Sequence, residues 1–204
     1  MIGWRYINGK AAYFPKANVD TDQLIPARFM STPRSEGYGK YLLYDQRRDT
    51  SGQLDPTFPI NRVKNARVLI AERNFGSGSS REAAVYALID AGFRAVIAPS
   101  FGDIFSSNSV NNGLLPVRLE REDHAALTAW HEEHPDINTE IDLEICSLRI
   151  GKFERLFVLE ETWRQKLING WDDIDITRQY INEIEAYRSK SLNTSSWAWP
   201  NEEK

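Results

Sequence analysis

The residues best suited to chemistry stand together in Asn74-Phe-Gly-Ser-Gly-Ser-Ser-Arg-Glu82, between a buried-strand run at 66–71 and a segment at 81–91 with helical patterning. Two glycines let a backbone turn tightly and approach a ligand. A helix starting just beyond them offers unpaired N–H groups and the positive end of a dipole, about half a charge. Such a turn attracts anions. The same residues also carry a purely structural reading, because Ser79-x-x-Glu82 is a capping-box pattern and many strand-to-helix turns use Gly and Ser for geometry alone. The stretch is not a Walker loop, since no Gly-Lys-Ser/Thr follows, and Arg81 stands where a dinucleotide fingerprint needs its third Gly.

Other candidates are more dispersed. Asp20 and Asp22 precede Pro26 in a loop where Asx-turn chemistry accounts for them equally well. Arg34, within Thr32-Pro-Arg-Ser-Glu-Gly-Tyr-Gly39, reads on its own as an ordinary solvated arginine. His124, His131 and His134 fall at i, i+7 and i+10 of a charged helix, lack a metal-ligand partner set, and are expected to face solvent. The single cysteine, Cys146, excludes an internal disulfide and cannot supply the thiolates of an iron-sulfur cluster or structural zinc site. Any such cofactor is expected on another chain, with no metal site on this one.

The elements that position these residues fit in 204 residues, a length for one domain able to bury about two-thirds of its unfolded surface. Lys and Arg total 25 against 29 Asp and Glu, a net charge of −4 without long like-sign blocks, which argues against nucleic acid as a partner. No run approaches 18 apolar residues, and the N-terminus lacks a signal-peptide core, so a soluble cytoplasmic chain without membrane contact is expected.

Asn8-Gly9 between two aromatic-rich runs predicts a hairpin over residues 3–14. Residues 15–65 predict long loops with short helical turns. The runs at 66–71, 81–91 and 94–98 predict a strand, helix, strand crossover. A helical turn at 101–105, a strand at 114–119 suited by Pro116 to an edge, and a helix at 120–134 follow. Alternation over 141–150, with Cys146 on its polar phase, predicts one long strand turning at Gly151-Lys152 into 153–159. Helices at 161–169, stopped by Gly170, and at 177–190 complete a domain of residues 1–190. Residues 191–204 are expected as a flexible or partner-bound tail.

As whole strings, four blocks are far more specific: Asn18-Val-Asp-Thr-Asp-Gln-Leu-Ile-Pro26, Arg73-Asn-Phe-Gly-Ser-Gly-Ser-Ser-Arg-Glu82, Ala98-Pro-Ser-Phe-Gly-Asp-Ile-Phe105 and Asn108-Ser-Val-Asn-Asn-Gly-Leu-Leu-Pro116. In order and spacing the chain resembles the small subunits of 3-isopropylmalate dehydratases, the detached swivelling domains of the aconitase superfamily. The resemblance implies an α/β swivelling domain of β/β/α type, with a small mixed sheet, crossover helices and C-terminal helices. It implies dehydration and rehydration of a small hydroxy dicarboxylic acid, 3-isopropylmalate in leucine biosynthesis, with a 4Fe-4S cluster in a separate large subunit. Residue by residue, it maps the base to Ser79, a substrate-carboxylate ligand to Arg81, a further substrate contact to Ser80, supporting groups to Thr21 and Asp22, and a substrate-choosing loop to Arg34. The family's usual Cys and His are replaced here by Ser77 and Ala83. That leaves another malate or maleate derivative, or an anion-binding relative without catalysis, as alternatives.

Overall fold

The computed structural model describes residues 2–78 and 80–199. One seven-stranded mixed sheet organises the chain, in the order β4-β3-β2-β1-β5-β6-β7. The strands are β1 (Tyr6–Phe14), β2 (Val68–Ala71), β3 (Ala95–Ala98), β4 (Leu115–Arg118), β5 (Asn138–Asp142), β6 (Ser147–Ile150) and β7 (Phe153–Leu156). β1 through β4 pair in parallel, while β1, β5, β6 and β7 pair antiparallel.

The parallel half is built as its sequence demands. Every residue of Val68–Ala71 and Ala95–Ala98 is fully buried, because helices and loops cover both faces and leave no solvated side for polar residues. Alternate residues then divide between two cores. Leu69, Ala71, Val96 and Ala98 join one, and Val68, Ile70, Ala95 and Ile97 the other, each large side chain contributing about 1.5–3 kcal/mol on burial. Helix α3 (Glu82–Asp90) links β2 to β3, and α4 (Asp103–Asn111) links β3 to β4. α4 is longer than the single turn expected at 101–105. The connection from β1 to β2 holds two short helices, α1 (Thr21–Leu24) and α2 (Pro59–Arg62), with three 3-10 turns between them, in line with expectation.

The antiparallel half departs from the sequence reading in two places. Asn8-Gly9 does not turn: β1 is one nine-residue strand whose residues 6–10 pair with β5 and 11–14 with β2. Gly9 is kept for space, since a Cβ there would lie 2.5 Å from Cγ of Arg67. The run at 141–150 is two strands, not one, separated by a turn at 143–146 in which Cys146 has φ +52°. Its apolar alternation survives on either side of that turn, which is why periodicity alone joined them.

The remaining helices are α5 (Arg121–Glu133), α6 (Glu161–Asn169), α7 (Asp173–Arg178) and α8 (Ile181–Thr194). α6 ends at Gly170 in the left-handed conformation, as its sequence predicts. The helix expected at 177–190 is divided into α7 and α8. A capping box between Asp172 and Asp175 starts α7 earlier, and α8 runs four residues into the stretch expected as tail.

The two histidines within α5 do not face solvent, while His134 at its C-cap is half-buried. His124 and His131 are each 4% exposed, His124 Nε2 lies 2.8 Å from the Ala71 carbonyl oxygen, and His134 stacks on Trp130 with ring centroids 3.9 Å apart. α5 turns this side toward the sheet, a placement set by Leu127 at its buried centre.

Candidate active site

The loops leaving the C-terminal ends of β1, β2 and β3 are stitched into one surface. Asn18 N–H donates to the Arg73 carbonyl (2.9 Å), Gly76 N–H to Val19 (2.7 Å), Thr21 N–H to Ser77 (3.0 Å), Phe75 N–H to Ser100 (3.0 Å) and Gly102 N–H to Phe75 (2.9 Å). Isolated parallel bridges, Asp20 with Ser77 and Phe75 with Phe101, carry the sheet pattern past the strand ends. Ligands of open α/β sheets bind at this end of the strands.

Glycine is required at the centre of this surface. Gly76 has φ +71°, and a Cβ would come within 2.2 Å of the Phe105 ring. Gly102 faces it, with a Cβ position 2.6 Å from the Gly76 carbonyl oxygen. The β2 loop can therefore lie directly on α4, and a cleft of about 180 Å³ opens between them, lined by Thr21, Gly76, Gly78, Ser80, Arg81 and the first residues of α4.

Arg81 is the N-cap of α3 and makes no side-chain capping bond. The helix itself begins at Glu82, and the capping-box reading rests on Ser79, which lies outside the described residues. The Arg81 side chain, 21% exposed, instead forms an ion pair with the carboxylate of Asp22, which is 55% exposed. Asp20 caps α1 by accepting from Gln23 N–H at 2.7 Å, so the two loop aspartates divide their work: one holds the backbone, the other the guanidinium. Thr21 between them is buried. On α3, Glu82 accepts from Asn112 at 2.7 Å. One turn on, burial and then the charge of Glu82 push the Tyr86 hydroxyl above its ordinary value of 10, which keeps it neutral.

Four of the expected site residues, Thr21, Asp22, Ser80 and Arg81, thus meet at one cleft mouth. Ser79 lies outside the described residues. Arg34 lies elsewhere: its guanidinium pairs with Asp90 and sits 4.4 Å over the Tyr86 ring. Asp90 ends the helix that Arg81 caps, so the two arginines are separated by roughly 12 Å along its axis. Asp103, Ile104 and Asn108 also line the cleft but were not singled out from sequence. The signal was present in Gly102 before the helix, a glycine whose need for space depends on a contact with residue 76.

A family model for the aconitase C-terminal domain matches residues 3–122. The 3-isopropylmalate dehydratase small subunit of Shouchella clausii is 42% identical over 186 residues, covering 89% of this chain and 93% of the relative. The chain belongs to this family. The small subunit of Geobacillus kaustophilus is 43% identical over 185 residues, covering 89% and 93%. The solved 3-isopropylmalate dehydratase LeuD of Methanocaldococcus jannaschii is similar with a TM-score of 0.61 and 29% identity, covering 91% of this chain and 99% of that one. At the two positions where the resemblance places Cys and His, Ser77 receives the Thr21 N–H through its carbonyl and Ala83 packs into the apolar core on the buried face of α3. Neither side chain lines the cleft.

Among the described residues no group of three or more His, Cys, Asp or Glu could hold a metal ion. Cys146 stands in the β5–β6 turn of the antiparallel half, where burial raises its thiol above the ordinary value of 9.0. Among the described residues no helix is long and apolar enough to cross a membrane.

Proposed function

We infer that the chain is the small subunit of a hydro-lyase that interconverts 3-isopropylmalate and 2-isopropylmalate by dehydration and rehydration, a step of leucine biosynthesis. The observation that carries this reading is the motif loop at 73–78, folded over the ends of three parallel strands, with Ser80 and Arg81 at the mouth of a cleft and Arg81 held by Asp22. At about 180 Å³, that cleft is smaller than the roughly 300 Å³ at which complete small-molecule sites begin. Half a site suits a domain that swivels onto a larger partner, and residues 1–190 are taken as that domain, with 191–204 as a flexible or partner-bound tail. Residues 200–204 lie outside the described residues.

The roles follow from the charge that develops. Loss of a proton from carbon beside a carboxylate needs a base and a cationic clamp. Ser79 is assigned as the base, its alkoxide favoured by the N–H groups of the glycine loop, the N-terminus of α3 and Arg81. Arg81 takes a substrate carboxylate through its planar fork, and Ser80 adds a hydroxyl. Asp22 and Thr21 fix the fork before substrate arrives. Arg34 reaches substrate only when its loop leaves Asp90. A 4Fe-4S cluster in the large subunit supplies, when bound, the Lewis acid for the departing hydroxyl. The substrate is a small hydroxy dicarboxylic acid, and the cytoplasm is the compartment that suits it.

Kinetics of the two-subunit enzyme test the assignment. Ser79→Ala should lower kcat by roughly 10²- to 10⁴-fold with KM nearly unchanged. Arg81→Lys keeps the charge, loses the fork, and should raise KM while lowering kcat/KM. Near wild-type turnover in a folded Ser79→Ala complex would refute the base assignment.

A further inference from the structure

Beside the cleft, on the outer side of β4, runs a groove of about 850 Å³ that the reaction does not use. Its floor holds Phe101, Leu119, Phe157 and Trp163, and its far wall is the extended chain leaving β7. Asp103 lines both the groove and the cleft, so the two are continuous. Two large apolar side chains that line it are held in water, Val158 at 95% and Leu156 at 74% exposed, and Ile104 on the adjoining cleft is 53% exposed. Contiguous exposed apolar surface of this kind marks an interaction site.

We propose that this groove is the docking surface for the cluster-bearing large subunit, seated by side chains and not by strand addition. The proposal rests on the reading of the chain as a small subunit. β4 is an edge strand, so main-chain pairing has to be considered first. Leu115 and Leu119 direct their N–H groups inward to Arg94 and Ala98, which places Pro116 and Arg118 at the outward positions. Pro116 has no N–H to offer, and the edge is thereby closed to a guest strand.

The rim says what the partner carries. Arg155 answers Asp123 at 2.7 Å, which leaves Asp103, Glu120 and Glu160 on the groove against Arg118 alone. An acidic rim around an apolar floor fits an apolar side chain flanked by Lys or Arg. Continuity through Asp103 decides between partners: a body seated here stands at the cleft mouth and can supply the missing half of the site. A second copy of this chain seated here would bring no cluster and would obstruct that mouth.

The test is the affinity of the full chain for the isolated large subunit of 3-isopropylmalate dehydratase, measured by sedimentation or interferometry. Val158→Asp should weaken binding at least about tenfold with an unchanged melting temperature. Glu120→Lys should weaken it about threefold at low salt and less at high salt. Once saturated with either variant, the enzyme should turn over within about twofold of wild type. Binding of both variants within about twofold of wild type would overturn the groove while leaving the small-subunit reading intact. Loss of self-association in Val158→Asp with large-subunit affinity preserved would assign the groove to a second copy and also overturn it. A wild-type chain with no affinity for the large subunit would remove the functional reading and this inference with it.

Discussion

The two halves of the sheet put the same signals to different use. In the parallel half, a Gly-x-Gly turn at the end of β2 is a true turn: Gly76 and Gly78 have φ +71° and +91°, and Gly76 lies against Phe105. In the antiparallel half Asn8-Gly9, a stronger turn signal by composition, lies inside β1 and only makes room for Arg67. β1 joins the two halves, pairing with β5 through residues 6–10 and with β2 through 11–14. The family match at 3–122 spans the parallel half and stops as α5 begins. The candidate cleft thus sits where three loops leave parallel strands side by side, and the antiparallel half braces the β1 strand they share.

Three variants probe that contrast. Gly76→Ala combines a positive φ with overlap on an aromatic ring, so it should cost about 2–5 kcal/mol, lower Tm by roughly 5–20 °C, and abolish most activity by prying the loop from α4. Gly9→Ala meets only Arg67 side-chain atoms with ordinary backbone, and should cost about 1–3 kcal/mol and leave kcat unchanged. Thermal melts paired with turnover measure both, and equal losses in the two variants would erase the distinction. The third concerns α5, which lies against the sheet. Burial holds the His131 imidazole below its ordinary value of 6.5, so below that pH the unfolded chain binds a proton that the folded chain refuses. Stability from this source is complete above pH 6.5 and lost as pH falls through the depressed value. Between about pH 7.5 and 5.5, His131→Gln should show a smaller fall in Tm than wild type.

What the sequence revealed follows the same division. Runs such as Ala66–Ala71 and Arg94–Ala98 were readable because strands covered on both faces leave a continuous apolar signature. Strands with one solvated face depend on where turns interrupt their alternation, and the turn at 143–146, with Cys146 in a left-handed conformation, carries no Gly or Pro to announce it. The motif loop was legible as a string, and its partners Thr21 and Asp22 came with the neighbouring block. Asp103 and Asn108 stood in the other two blocks but drew no role, because their place at the cleft depends on a close approach between loops some thirty residues apart. The burial of His124 and His131 was hidden for a related reason: the face that α5 turns inward is chosen by the sheet, not by the helix's own charges.

Reconstitution of turnover from separate subunits tests the central claim most directly. The account predicts that this chain alone and the large subunit alone leave 3-isopropylmalate unchanged, while titrating one into the other gives activity that rises to a stoichiometric plateau. Dehydration of 3-isopropylmalate by this chain alone, or no turnover at any ratio of the two folded, cluster-loaded subunits, would contradict it.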